Sequence, residues 1–561
     1  MTAARLASLL LIGWWVLPLD TRAAADVEQW GIQQITLHSQ GHYDNPFAAV
    51  TLECRFSLGR REIRVDGFYD GEHTWKARLM PDSVGHWTYR CASNDRDLNG
   101  KSGAFEVAPP SKVNHGPVRV HDTYHFAYAD GAPYFPLGTT FYTWLQRGPQ
   151  VQLRTLSSLG HAPFNKVRFM ILPRGGSFGT EVSSPYLRRA DGTPDFDRFD
   201  PTYFAQYEEG LRQLQALGLQ ADLILFHPYD RSPNGFSGLD PAHSDAYVRY
   251  VVARFAAFRN VWWTLTNEFD IYRVQKDWRH LGELVAATDP YRHLLGIHNC
   301  CFAFYDNSQP WITHVILQDI TLQRHASGSR NDASLELDAR RIGKPVMVDE
   351  YGYEGNRAMA WGSFGARDIV EMHWSLTMAG AYASHGETYV HTPGGDLVGD
   401  SPPRLGFLQH VLTAAPYTEM EPAPDSVKSA DPSITALAKP GTYYLIHFGQ
   451  PKERADWNLG VFGPGTPSRP LPVDAGKRAA FVPPAGPTVE VNMGAGVFEV
   501  SLIDTWNMKI YPLGYTPGSV QTFSSKMAPG VIRLVKVDRS PPDVPSGSIA
   551  ELLSRFETDP N

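Results

Sequence analysis

Cysteine is scarce: four in 561 residues, far too few for a disulfide-built scaffold. Basic runs are absent, and Lys plus Arg (51) fall short of Asp plus Glu (59). The resulting formal charge of -8 argues against nucleic acid as a partner. Past the first 25 residues no apolar run is long enough to span a bilayer. No C-x-x-C or H-x-x-H spacing suggests zinc, and no glycine-rich nucleotide loop follows the first strand-like run, which reads Pro136-Leu137-Gly138-Thr139-Thr140. No cofactor is implied, and nothing specifies an oligomeric state.

What is present is a globular composition, 42% hydrophobic and 12% aromatic, over a length that calls for two or three domains. The N-terminus has the form of an export signal. Arg5 supplies charge, Leu6–Leu17 is apolar, and Ala23-Ala24-Ala25 offers a cleavage site before Asp26. Residues 1–25 are therefore expected to be removed, leaving no stable membrane insertion and a periplasmic or secreted protein. An uncleaved anchor is the alternative. Export would let Cys54 pair with Cys91. The adjacent Cys300 and Cys301 are expected to be free, buried thiols.

Residues 26–110 alternate in short strand-like runs (Ala48–Cys54, Arg61–Phe68, Thr74–Leu79, His86–Ala92, Gly103–Val107) parted by turn residues, the pattern of a β-sandwich. A proline-bearing linker, Pro109–Pro117, follows. From 118 to 416 strand-like and helix-like segments alternate. The strand candidates are Tyr134–Gly138, Lys166–Leu172, Gln220–Phe226, Val261–Thr266, Leu294–His298, His314–Gln318, Pro345–Asp349 and Ala381–Ser384. Helical periodicity is clearest over Pro201–Leu217 and recurs over Ala246–Phe258 and Asp368–Met378. Eight such units predict a (β/α)8 barrel, with an open doubly wound sheet as the competitor. Residues 417–540 return to strand-like runs, among them Tyr443–Phe448, Arg478–Val482, Thr488–Asn492, Phe498–Asp504 and Val531–Val537, and predict a second β-sandwich. The tail from Pro541 is polar and expected to fray. The fold class is thus multidomain: a central TIM barrel flanked by N-terminal and C-terminal β-sandwiches.

In a barrel the chemistry sits at the C-terminal ends of the strands. Two apolar runs end there on a carboxylate, Glu268 in VWWTLTNEFD and Glu350 in KPVMVDEYG. A paired proton donor and nucleophile is what glycosidic bond cleavage requires. Other rim residues are polar too: Arg168 on strand two, His227 after strand three, His298 after strand five, and His385 and Glu387 at strand eight. Tyr142 and Trp144 follow strand one, placed to stack on a sugar or to pack a loop. His385 and Glu387 are candidates for a sugar hydroxyl, and Asp270 and Tyr351 for support around the site. Glu354 is either a third acid or a solvated loop charge. The loop Pro173–Asp197 is a candidate wall for one end of the cleft.

These pieces resemble a clan A retaining glycoside hydrolase, and within that clan the apiosidase-like barrels with an N-terminal β-sandwich and a C-terminal β domain. The resemblance runs over the mature chain and rests on HAPFNKVRF, WWTLTNEFD, KPVMVDEYGYEG and GAYASHGETY. It implies that Glu268 is the acid/base and Glu350 the nucleophile. It implies that Asn267 holds a sugar hydroxyl, that Arg168 keeps the nucleophile ionised, and that His227 is the strand-three histidine of such sites. The substrate would be a carbohydrate, and retention would need the two carboxyls about 5–5.5 Å apart. The chain departs from the pattern at Gln318-Asp319, where many members have His-x-Tyr, and at His385-Gly386-Glu387, where many have Trp. The competing readings are a glycan-binding protein on a barrel that has lost catalysis, and a metal-dependent barrel hydrolase using His227, His298 and His385.

Overall fold

A computed structural model describes residues 27–174, 184–229, 238–271, 276–300, 303–319, 334–355, 362, 364–386, 397–431, 433–449, 487–525, 530–539 and 544–558. The export segment, Glu387, Cys301 and the strand candidate Arg478–Val482 lie outside the described residues.

The middle of the chain is an eight-stranded parallel sheet. Its strands are β1 (Leu137–Thr140), β2 (Lys166–Met170), β3 (Gln220–Phe226), β4 (Val261–Thr266), β5 (Leu295–Gly296), β6 (Val315–Gln318), β7 (Val346–Glu350) and β8 (Tyr382–His385). They pair in the order 5-4-3-2-1-8-7-6, and a parallel bridge between His298 and Ile316 joins the two ends. Every residue of β2, β3, β4 and β7 is buried, because helices cover the outside and side chains fill the inside. That is why these strands read as largely apolar runs, interrupted by Lys166, Arg168, Asp222 and Asp349.

The covering helices include α1 (Pro149–His161), α2 (Pro201–Ala216), α3 (Pro241–Phe255), α4 (Trp278–Thr288), α5 (Ser334–Arg340), α6 (Ala366–Met378) and α7 (Ser401–Thr413). Three start on an aspartate whose carboxylate accepts a free backbone N–H of the first turn: Asp200 from Thr202, Asp240 from His243 and Asp277 from His280. In α2 and α3 a proline follows the cap, where its missing N–H costs nothing.

The bottom of the barrel is plugged by a small antiparallel sheet, Val118–His121, His125–Tyr128 and Pro133–Tyr134. The expected first strand, Tyr134–Gly138, is corrected: Tyr134 belongs to this small sheet and the barrel strand runs Leu137–Thr140. Phe126 and Tyr134 pack against Trp262 of β4, with ring centroids 5.2 and 6.1 Å away.

Ahead of the barrel a five-stranded and a three-stranded sheet pack on each other. Cys54 and Cys91 lie opposite one another on neighbouring strands and form a disulfide. The expected strand Ala48–Cys54 is corrected. Asn45 caps a one-turn helix, Pro46–Ala49, and the strand begins at Leu52. A buried ion network ties this module to the barrel. Arg78 reaches Glu208 of α2 at 2.7 Å, and Arg254 of α3 reaches Glu208 at 2.5 Å and Asp70 at 2.6 Å. The module also grips the segment after β2, where the hairpin Tyr186–Arg188/Pro194–Phe199 meets it through Asn45 on the Asp197 carbonyl and Arg198 on the Asp44 carbonyl.

Behind the barrel come a six-stranded and a three-stranded sheet. The tail does not simply fray: Ile549–Thr558 is a helix that buries Ile549, Leu552 and Leu553. Among the described residues no helix is long and apolar enough to cross a membrane.

Candidate active site

β4 and β7, separated by β5 and β6, end on the same rim among the polar residues predicted there, and hydrogen bonds string several of them together. Glu268 follows β4 with φ of +44°, a left-handed backbone that a glutamate adopts only under constraint. Its N–H donates to Nδ1 of His298, 3.3 Å away, which holds the turn. Its carboxylate accepts from the Tyr229 hydroxyl at 2.6 Å. Tyr229 in turn accepts from Nδ2 of Asn267, and Oδ1 of Asn267 accepts from Arg168. Arg168 donates to Oε1 of Glu350 at 3.2 Å, and the Tyr142 hydroxyl donates to the same oxygen. One chain of contacts thus links the two carboxyls through Tyr229, Asn267 and Arg168.

The two acids differ electrically. Burial, then the neighbouring Glu350 carboxylate, push Glu268 up to about 7 from an ordinary 4.5. Burial opposes charge on Arg168, but Tyr142, Asp349 and Glu350 around it outweigh that and raise its affinity for a proton. It stays a guanidinium beside Glu350. Burial and the adjacent carboxylates push Tyr142 and Tyr229 far up, so both remain neutral donors.

β7 delivers its acid by an irregularity. Leu317 pairs with Val348, but Gln318 pairs with Glu350, so Asp349 is an extra residue in a bulge. In a regular strand Asp349 and Glu350 would face opposite sides. The bulge turns both inward: Asp349 meets Lys166, and Glu350 meets Arg168 two residues along the same face of β2.

Several predicted residues are placed elsewhere. Trp144 is buried, edge-on to Phe169 at 5.8 Å, in the layer between sheet and helices. Tyr351 also leaves the cleft, its hydroxyl 2.8 Å from Nδ1 of His373 on α6. Ser384 uses the inner face of β8 to reach Asp349, so His385 exits on the outer face. There it stacks on Phe164 and meets Ser401 at 3.0 Å. His227 is spent internally. Its Nε2 donates to the carbonyls of Leu172 and Pro173 at 3.2 and 3.1 Å, and its Nδ1 accepts the Tyr229 N–H at 3.3 Å. Burial lowers it to about 4, so it is neutral and fixes the ring of Tyr229. The three rim histidines therefore do not converge, and no group of three or more His, Cys, Asp or Glu among the described residues could hold a metal ion. Asp270 accepts the N–H groups of Cys300 and Ala303 and shapes the loop after β5. Glu354 caps α7, accepting from the N–H of Asp400 and of Ser401. Cys300 is corrected as well: it is disulfide-bonded, not a free thiol, and its partner lies outside the described residues.

Three site residues escaped sequence reasoning in kind or altogether, the first being Tyr229, which donates to Glu268. Tyr142 is buried, and its hydroxyl bonds the Glu350 carboxylate. Tyr353 lies 2.9 Å from the Tyr142 hydroxyl. Its ring fills the space beside Gly386, where an added Cβ would come within 2.0 Å of Cδ1.

A parallel (β/α)8 barrel whose rim joins two carboxyls, one protonated and one beside a guanidinium, defines a glycoside hydrolase. The chain belongs to the apiosidase-like members of that class. Residues 120–393 match the model described as "Apiosidase-like, catalytic domain", and residues 26–94 match a domain of unknown function, DUF5060. A candidate glycoside hydrolase from Bacteroides vulgatus ATCC 8482 is 32% identical over 92% of this chain and 98% of its own, with a TM-score of 0.70. A family 5 glycoside hydrolase from the same organism shares the fold at 14% identity, covering 75% of this chain and 94% of its own, with a TM-score of 0.55. None of the curated proteins matches the chain.

Proposed function

We propose that the protein is a retaining glycoside hydrolase that works by double displacement. The observation that carries this reading is the hydrogen-bonded path from Glu268 to Glu350, with a carboxyl protonated up to about 7 at one end and Arg168 and Tyr142 on the carboxylate at the other. Glu350 attacks the anomeric carbon as the bond to the leaving oxygen breaks and Glu268 hands that oxygen its proton. Glu268, now a carboxylate, takes a proton from water. The water oxygen attacks the same carbon and frees Glu350. Asn267 has one Nδ2 hydrogen left for a sugar hydroxyl after serving Tyr229.

The substrate is a carbohydrate, and the family description puts apiosides first in the panel to assay. Export is part of the same proposal. The Cys54–Cys91 disulfide supports an oxidising compartment, and Edman sequencing of the mature protein should begin at Asp26. The decisive experiment is E350A. Turnover should vanish and return with azide or formate, giving product of the opposite anomeric configuration. Undiminished activity in E350A would end the proposal.

A further inference from the structure

Directly below the two carboxyls the barrel interior is charged, and the reaction just described makes no use of that charge. Lys166 of β2 is fully buried, with its Nζ 2.6 Å from Asp222 of β3 and 2.8 Å from Asp349 of β7. Asp222 also accepts from Thr264 at 2.7 Å, and Asp349 from Ser384 at 2.5 Å. Desolvating three ions is costly, and apolar side chains of the same volume would fill this layer as well or better. A purpose beyond packing has to be sought in what the layer touches.

It touches Arg168. That guanidinium has two carboxylates in reach, because the β7 bulge turns adjacent acids to one face. Its NH1 is 3.2 Å from Glu350, and its Nε is 3.9 Å from Asp349. Coulomb attraction falls as 1/r, so the two separations differ in strength by only about a fifth. An uncompensated Asp349 would compete with Glu350 for Arg168 on nearly equal terms. What removes it from competition is Lys166. Asp222 also faces Arg168; burial opposes its charge, but Lys166 and Arg168 keep it ionised, and it is present unchanged in every protein compared below, while burial lowers His298 and His314 and raises Tyr142, so those three are neutral.

We propose that Lys166 is a positioning residue for the nucleophile: by neutralising Asp349 it leaves Arg168 to Glu350 and keeps the path to Asn267 intact. This rests on the reading of Glu350 as nucleophile. A layer that served only the fold would affect stability and leave the direction of Arg168 alone.

Four full-length proteins test it: the parent, K166M, D349N and the double variant K166M/D349N, which removes one charge of each sign. Each is crystallised, and the pH profile of kcat/KM is taken on the aryl glycoside that the parent turns over. In K166M the guanidinium should swing from Glu350 to Asp349. Its kcat should fall about tenfold or more with KM little changed, and the acidic limb should move up by about one pH unit. D349N should move that limb down, and the double variant should restore both Arg168 and the limb to the parent positions. Arg168 unmoved in K166M, or one shared limb in all variants, overturns the proposal. If K166M fails to fold, D349N and the double variant decide: a limb below the parent's in D349N alone supports it, and coincident limbs overturn it. E350A keeps the two questions apart. Full turnover there sinks the nucleophile itself, whereas an inert E350A beside an unmoved Arg168 in K166M sinks only the role of Lys166.

Discussion

Replacing Glu268 by glutamine should stabilise the protein, and only at the alkaline end. The carboxyl is raised from 4.5 to about 7, first by burial and then by Glu350. Between those values the folded protein holds a proton that the unfolded chain has released, so the stability of the parent falls as pH rises. The advantage of the protonated form is fully present below pH 4.5 and is lost as pH climbs through about 7. At about 1.4 kcal/mol per pH unit the full loss is about 3 kcal/mol. Part of Glu268 is open to the cleft, so solvent reduces that to about 1–2 kcal/mol in practice. Glutamine keeps the shape and the bond to Tyr229 but cannot ionise. E268Q should therefore match the parent near pH 4 and exceed it at pH 8. For a domain of this size the gain corresponds to roughly 2–4 °C in Tm. Differential scanning calorimetry of both proteins at several pH values measures the gap. A gap independent of pH, or one that widens toward acid, would refute the account of this site.

Other outcomes follow from the same contacts. Y142F removes a hydroxyl from Glu350, so kcat should fall about 10- to 100-fold with KM nearly unchanged; steady-state kinetics within twofold of the parent would contradict that role. G386A drives a methyl into Tyr353 and should cost about 1–3 kcal/mol of stability, which truncating Tyr353 in the same chain should return, as thermal unfolding would register. E208Q strips Arg78 and Arg254 of a shared buried partner and should cost about 3–5 kcal/mol in urea unfolding, with protease cutting first in the N-terminal module.

Much of the barrel was legible because parallel strands buried on both faces leave largely apolar runs, and β2, β3, β4 and β7 stand where those runs lie. The carboxyl pair was legible for the same reason, since a charge at the end of such a run stands out. Facing was harder. A period of two puts Tyr351 and His385 outside only once the inward partners Asp349, Glu350 and Ser384 are known, and the bulge at Asp349 breaks that period without any glycine or proline to announce it. Trp144 and Tyr142 sit two residues apart after β1, yet one packs on Phe169 and the other reaches Glu350, a divergence set by the short turn at Trp144–Gln146. The C-terminal helix was readable: Ile549, Leu552, Leu553 and Phe556 recur three and four apart, but prolines and glycines just ahead disguised its start. The one-turn helix at Pro46 is too short for any periodicity to emerge.

The arginines shared across the first junction have an implication for how such proteins are built and inherited. Arg254 and Glu208 belong to the barrel, while Arg78 and Asp70 belong to the module ahead of it, and each pair is incomplete without the other. A barrel excised at its boundary would keep Arg254 beside Glu208 but strip it of Asp70, and a transplanted module would keep Arg78 beside Gln34 but strip it of Glu208. The two halves are therefore a single heritable unit: recombination between relatives should preserve this seam, and trimming the enzyme to its catalytic portion should yield insoluble material.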